Sequence, residues 1–147
     1  MQPTIAVCED ITLIILQNIP ASMTFVTEVF ETIASMGIDV DMISLTPPQS
    51  ARTNLSFTVS DDDLVKILSY TSKLDSGTVK PVVSSGNCKI SINDAGMENC
   101  PGVAAEVFRK AASVNADIRL ITTSEAQISL LVPKSDFDTI LEALQNP

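Results

Sequence analysis

The sequence predicts an α+β fold built from two copies of one βαββαβ unit, and two observations lead to this prediction. The chain repeats itself in register, and in each copy the apolar residues change from a period of two to a helical period in the same order. With 147 residues, of which 45% are hydrophobic, the chain is long enough for a real core but short for two ordinary domains. Each copy must therefore be small.

The repeat is visible in short identical and similar stretches. Glu28–Phe30 recurs as Glu106–Phe108, 78 positions later. Beyond the second strand of each copy the offset is 73 positions, as for Asp63 and Asp136. The change in offset places a longer turn in the first copy, at Thr46–Thr53, and the matches predict a duplicated unit.

The first copy contains all six elements of the unit. A β-branched run predicts the first strand, and apolar residues at helical spacing between Pro20 and Gly37 predict the first helix. Ser60 opens the second helix, with three aspartates in its first turn, where anionic side chains are favourable. The four strands are predicted at Ile11–Leu16, Val40–Leu45, Leu55–Val59 and Thr78–Val83.

The second copy contains five of the six elements and lacks its final strand. Its strands are predicted at Lys89–Asn93, Asp117–Thr122 and Gln127–Val132, with helices from about Pro101 and over Ser135–Leu144. Because the first copy begins only at Ile11, Thr4–Cys8 remains available as a strand. An uncovered apolar sheet edge is unfavourable. We therefore expect a first unit over residues 11–86 and a second over residues 87–147, completed by the N-terminal strand at residues 3–8, both with the split β-α-β, ferredoxin-like order.

Composition excludes several function classes. The net charge of −9 argues against nucleic acid and against anionic membrane surfaces as partners. The chain has no histidine, and its three cysteines are not at C-x-x-C spacing, so we expect neither a metal site nor any cofactor. We read the three aspartates at 61–63 as a helix start and not as a cation site. The cysteine usage and the lack of a signal-peptide pattern lead us to expect a cytoplasmic protein.

Three stretches resemble the regulatory region of aspartokinase, which is a tandem pair of ACT domains. The most specific is Leu-Ile-Thr-Thr-Ser-Glu at 120–125, which is followed by Ile128 and Ser129. The others are Ala95–Met97 with Pro101–Ala104 in the second copy, and Ile19-Pro20 with Gly37–Ile43 in the first. The resemblance implies two ACT units, the second of them completed by the strand that precedes the first, in agreement with the strand count.

The resemblance implies an allosteric module that senses lysine or threonine where ACT units pair. It also implies a homodimer and a kinase domain or catalytic subunit as partner. The chain would not be an enzyme by itself, since it lacks the kinase domain's Lys- and Gly-rich opening motif and any G-x-x-x-x-G-K-[ST] phosphate loop. The effector-binding residues that the resemblance indicates are Asn18, Ile19, Ser22, Met23, Thr24 and Asp41 in the first unit, and Met97, Asp117, Ile118, Ser124 and Glu125 in the second.

The first-unit loop departs from the family pattern G-x-P-D-x-P-G. Ala21 stands at the acidic position, Met23 at the second proline, and Thr24 at the last glycine, which lets a ligand approach the backbone. These departures keep an alternative open, in which the chain is an ACT-type assembly module with a degenerate effector site.

Overall fold

The computed structural model describes residues 3–48 and 50–146, which divide into two compact units. The first unit is Asp10–Ser85, and the second joins the stretch that ends at Glu9 to the chain from Gly86 onward. The strands are β1 Thr4–Pro20, β2 Ile43–Leu45, β3 Arg52–Ser60, β4 Lys80–Asn93, β5 Leu120–Ser124 and β6 Gln127–Pro133. The helices are α1 Met23–Ser35, α2 Leu64–Leu74, α3 Val103–Ser113 and α4 Lys134–Gln145, with short 3-10 turns at Asp61–Asp63 and Ala95–Met97.

The first unit has a sheet in the order β2-β3-β1-β4, in which β3 pairs antiparallel with β1 and with β2. Alternate residues of β1 and β3, such as Ile14, Leu16 and Phe57, are fully buried against one face of α1 and α2. At the start of α2 the Ser60 hydroxyl accepts a hydrogen bond from the Asp62 amide, as expected for a helix cap. β2 lies at the edge of this sheet.

The second unit has the order β1-β4-β6-β5, so the N-terminal strand occupies the place of its missing last strand. β6 pairs antiparallel with β4 and with β5. Its core is built from Ile90, Leu130 and Ile140, all fully buried, and Ile5 of β1 packs against it. The predicted fold class, two ferredoxin-like units with the second completed by the N-terminal strand, is confirmed.

In two places, a pair of predicted strands forms one continuous strand in the structure. The N-terminal strand and the first strand of the first unit form β1, because Asp10 adopts a left-handed conformation (φ 61°) that lets the strand continue past it. Gly86 (φ 72°) plays the same part in β4, which joins the predicted strands on either side of it. A single left-handed residue bends a strand without ending it.

Three boundaries differ from the predictions for local reasons. β2 begins only at Ile43, because the Met42 amide donates to the Thr58 hydroxyl at 2.9 Å. This side-chain hydrogen bond interrupts the regular backbone pairing of β2 with β3. α3 begins after Pro101, since the intervening Gly102 is left-handed (φ 94°) and cannot be helical. β5 begins at Leu120 and not three residues earlier.

Tyr70, the single tyrosine, is half-buried on α2 beside Thr32 and Glu28 of α1. Burial raises the pKa of its phenol, a hydrogen bond with Thr32 lowers it, and the Glu28 charge raises it, with a net rise.

All three cysteines are free thiols, of which only Cys88 is buried. Among the described residues, no helix is long and apolar enough to cross a membrane.

Candidate functional site

Asn18 is fixed by hydrogen bonds at the end of β1, just before α1. It adopts a left-handed conformation (φ 62°) at an irregularity in the pairing of β1 with β3. Its backbone amide donates to the Asn54 side chain at 2.9 Å, and its side-chain amide donates to the Thr78 carbonyl at 3.1 Å. The Arg52 guanidinium donates to the Asn18 carbonyl at 3.4 Å. The role visible for Asn18 is therefore to position the loop that leads into the helix.

Within residues 3–48 and 50–146, the Met23 and Thr24 amides at the start of α1 have no hydrogen-bond partner, and they lie beside a small cavity. Ser22, Met23 and Thr24 are exposed, and Met23 retains 66% of its accessible surface. No acidic residue lies in the first helical turn, so nothing on α1 itself offsets the positive end of the helix dipole. A cavity of about 180 Å³ adjoins this turn, and Thr46 lies on its far wall. Ile19 is fully buried and can offer a ligand only its backbone.

An open apolar groove continues from the helix start along α1 and β2. It has a volume of about 500 Å³ and lies between Met23, Phe30, Ile43 and Leu45. Ile43 and Leu45 are 50% and 45% exposed although they lie on an edge strand. An exposed apolar edge strand is a surface that proteins normally cover. We refer to this surface of α1 and β2 as the edge groove.

Asp41 does not meet the helix start within one chain. Its backbone amide donates to the Thr58 carbonyl at 3.1 Å, whereas Pro20, just before α1, lies opposite Arg52. Arg52 and Thr58 are six positions apart on β3, which corresponds to roughly 20 Å. An α-amino acid bound at the helix start therefore cannot reach the Asp41 of the same chain.

In the second unit, Met97, Ser124 and Glu125 lie at one end of the sheet. Met97 closes the 3-10 turn after β4 and packs against the core. Ser124 and Glu125 are exposed at the β5–β6 turn. The two loops are connected because the Asp94 amide donates to the Ala126 carbonyl at 2.9 Å. These three candidates can face one small ligand.

Asp117 and Ile118 lie towards the opposite end of this sheet. The Asp117 amide donates to an Asp136 carboxylate oxygen at 3.3 Å at the start of α4, and the Asp117 carboxylate pairs with Arg119 at 3.4 Å. Ile118 packs against the core. The Arg119 amide donates to the Leu131 carbonyl, and Leu131 is four positions from Gln127, where β6 begins opposite Ser124. At least about 13 Å therefore separates Asp117 and Ile118 from the candidates at the β5–β6 turn.

Arg52 and Thr46 are neighbours of the first-unit loop that the sequence reasoning did not select. Both belong to the long turn between β2 and β3 or its border. The five-residue difference between the two copies was the signal that could have directed attention to this turn. Among the described residues, no three metal-ligating side chains come together.

Comparison with known proteins gives one family. The family described as "ACT domain" matches residues 90–146. Aspartokinase 2 of Bacillus subtilis (strain 168) is 32% identical over 146 residues, which cover 97% of this chain and 35% of that protein. The chain spans about a third of the length of the curated aspartokinases that it matches.

Two solved structures of regulatory and subunit forms match over nearly their whole length. The regulatory subunit of aspartate kinase from Thermus thermophilus, in a ligand-free form, is 30% identical, with a TM-score of 0.84. The match covers 95% of this chain and 93% of that subunit. A structure of aspartokinase alpha and beta subunits matches at 28% identity and a TM-score of 0.83, covering 95% and 93%. The resemblance seen in the sequence is confirmed, and the chain corresponds to the regulatory part of an aspartate kinase.

Proposed function

Because the chain belongs to the ACT-domain family of aspartate kinase regulatory subunits, we propose that it binds a free amino acid and controls an aspartate kinase catalytic domain or subunit. Lysine and threonine are the first candidates as effectors. One observation supports this proposal best. The α1 start offers backbone donors, and Asp41 of the same chain is too far away to complete the site, but Asp41 of a second copy would complete it.

Pairing of two copies through their β2 edges brings these groups together. In an antiparallel pairing centred on Ser44, the residues before β2 in one copy lie beside the residues after β2 in the other. Asp41 of one copy then faces the turn after Leu45 of its partner, which lies next to the partner's α1 start. The same pairing covers the edge groove with apolar side chains from the second copy. A homodimer thus completes two equivalent sites.

The proposed site has the chemistry of an α-amino acid receptor. Backbone amides at the α1 start of one copy bind the ligand carboxylate, since a helix start favours anions. The exposed Asp41 carboxylate of the other copy binds the ligand ammonium. Met97, Ser124 and Glu125 offer a related loop end in the second unit, whereas Asp117 and Ile118 would require a contribution from another chain.

A thermal-shift screen of the twenty amino acids tests the sensor function. A ligand that binds only the folded protein stabilises it by about 2.7 kcal/mol at a hundredfold excess over Kd, which raises the melting temperature measurably. We expect lysine or threonine to give the shift and Asp41→Asn to abolish it. Asp39→Asn is the matched control, because Asp39 is also an exposed carboxylate but lies two positions farther from β2. The same ligand should also lower the dimer Kd in sedimentation equilibrium.

The alternative function is an assembly module without an effector, and the loop residues Ala21, Met23 and Thr24 favour it. Thr24 places a side chain where a glycine would let a ligand reach the backbone, and Met23 stands at the second proline of the family pattern. A dimer that shows no shift with any amino acid at about 10 mM would contradict the sensor function and support this alternative. In either case the chain alone should give only background turnover in a coupled assay of aspartate phosphorylation. The cytoplasmic location stays a prediction.

A further inference from the structure

A large open cavity lies in the second unit, on the side of α3 that faces α4 and the N-terminal strand. Its volume is about 680 Å³, within the range of small-molecule sites. The apolar part of its lining comes from four elements and the loop after β4, namely Ile5, Ile92, Met97, Val103, Val107 and Leu144. None of the residues that form the edge groove belongs to it.

The internal repeat shows what occupies this place in the first unit. At the repeat offsets of 78 and 73, Val103 corresponds to Phe25 and Ala143 corresponds to Tyr70. Both aromatic side chains pack against the first-unit core. The second unit lacks both rings. Val103 lines the large cavity, whereas Ala143 lines a second cavity of about 450 Å³, and Lys110 borders both. The missing volume is therefore that of aromatic side chains.

Three charged side chains border the cavity, and two of them, Glu106 and Lys110, have opposite charges and lie on α3. The third, Asp94, accepts a hydrogen bond from the Gly96 amide at 2.8 Å. Glu106 and Lys110 lie one helical turn apart on α3, and both line the cavity wall. Within residues 3–48 and 50–146, neither the Glu106 carboxylate nor the Lys110 ammonium has a hydrogen-bond or ion-pair partner. In the first unit Lys110 is replaced by Thr32, whose hydroxyl interacts with Tyr70. The cation thus appears only where the aromatic ring is absent.

We propose that this cavity binds a free amino acid with an aromatic side chain, at a site separate from the effector site between paired copies. The ligand ring fills the volume that Phe25 fills in the first unit. Lys110 binds the ligand carboxylate and Glu106 binds its ammonium, so the zwitterion spans one helical turn. The proposal concerns a second ligand of the chain and does not depend on lysine or threonine binding.

Binding of L-phenylalanine to the full chain, measured by calorimetry or NMR titration, tests the site. Val103→Phe restores a first-unit ring and should weaken binding at least about tenfold, because ring and ligand compete for one volume. Ala143→Tyr is the second variant, in case Val103→Phe disturbs packing, because it restores the other first-unit ring beside Lys110. Lysine and threonine shifts should be unchanged in both variants. Loss of those shifts in a folded variant would overturn the separation of the two sites.

Probes that lack one charge separate the roles of the two side chains. 3-Phenylpropionate keeps only the carboxylate and phenethylamine keeps only the ammonium. Lys110→Met should weaken 3-phenylpropionate about tenfold and leave phenethylamine unchanged, and Glu106→Gln should do the reverse. Absence of saturable phenylalanine binding up to about 10 mM would overturn the proposal. Binding that Val103→Phe and Ala143→Tyr both leave intact would show that phenylalanine binds elsewhere on the chain and would overturn the proposal equally.

Discussion

Leu45→Asp should convert the proposed dimer into a monomer without unfolding the chain. Leu45 lies on the edge strand β2 and is 45% exposed, so about half of its surface remains to be covered by a partner. Full burial of a leucine contributes about 1.5–3 kcal/mol, so the lost apolar contact costs about 1 kcal/mol per copy. A carboxylate held against the partner's apolar strand costs about another 1–3 kcal/mol.

The symmetry of the proposed dimer doubles this effect, since each dimer carries the substitution twice. The total of about 4–8 kcal/mol corresponds to a dimer Kd weakened by roughly 10³-fold to 10⁶-fold. Sedimentation equilibrium over a range of concentrations measures this constant, and circular dichroism checks that the monomer is folded.

Val65→Asp is the matched control for Leu45→Asp. Val65 is 79% exposed on α2 of the same unit, and it does not line the edge groove. The control should dimerise like the parent chain. Equal dissociation of both variants, an unchanged Kd for Leu45→Asp, or a parent chain that is monomeric at about 100 μM would refute pairing through β2.

Three other predictions test the folded chain itself. Tyr70 should ionise above the ordinary phenol pKa near 10, as read from tyrosinate absorbance, which reports this side chain alone. Because the folded-state pKa is raised, the free energy of unfolding should fall as pH rises past about 10, and Tyr70→Phe should remove the part of the fall that this phenol causes. An ordinary or lowered pKa of Tyr70 would contradict its packing. Gly86→Ala should cost about 1–2 kcal/mol in urea unfolding through left-handed strain alone, since no atom lies within 4 Å of the added Cβ, whereas Ser85→Ala should be nearly neutral. Removal of residues 1–8 takes the N-terminal strand from the second unit and should cause aggregation or a clear loss of stability, and a truncated chain as stable and soluble as the parent would rule out that role.

The duplicated pattern was sufficient to predict the two units and the use of the N-terminal strand. Helical and strand periods are local properties of sequence, so the faces of α1 and α2 and the alternation of Leu55, Phe57 and Val59 could be predicted directly. Counting elements against the repeat then left one strand missing and one spare. A missing strand can be inferred in this way because an open apolar edge has a free-energy cost wherever it occurs.

Register and volume could be obtained only from the tertiary structure. The sequence suggested that Asp41 and the α1 start bind one ligand together, but strand register, which long-range pairing decides, places them roughly 20 Å apart in one chain. Similarly, Val103 and Ala143 are unremarkable apolar residues in the sequence, and only the packed structure turns their small size into a cavity. The sequence determines which residues seek burial, whereas distances between elements depend on how all of them pack at once.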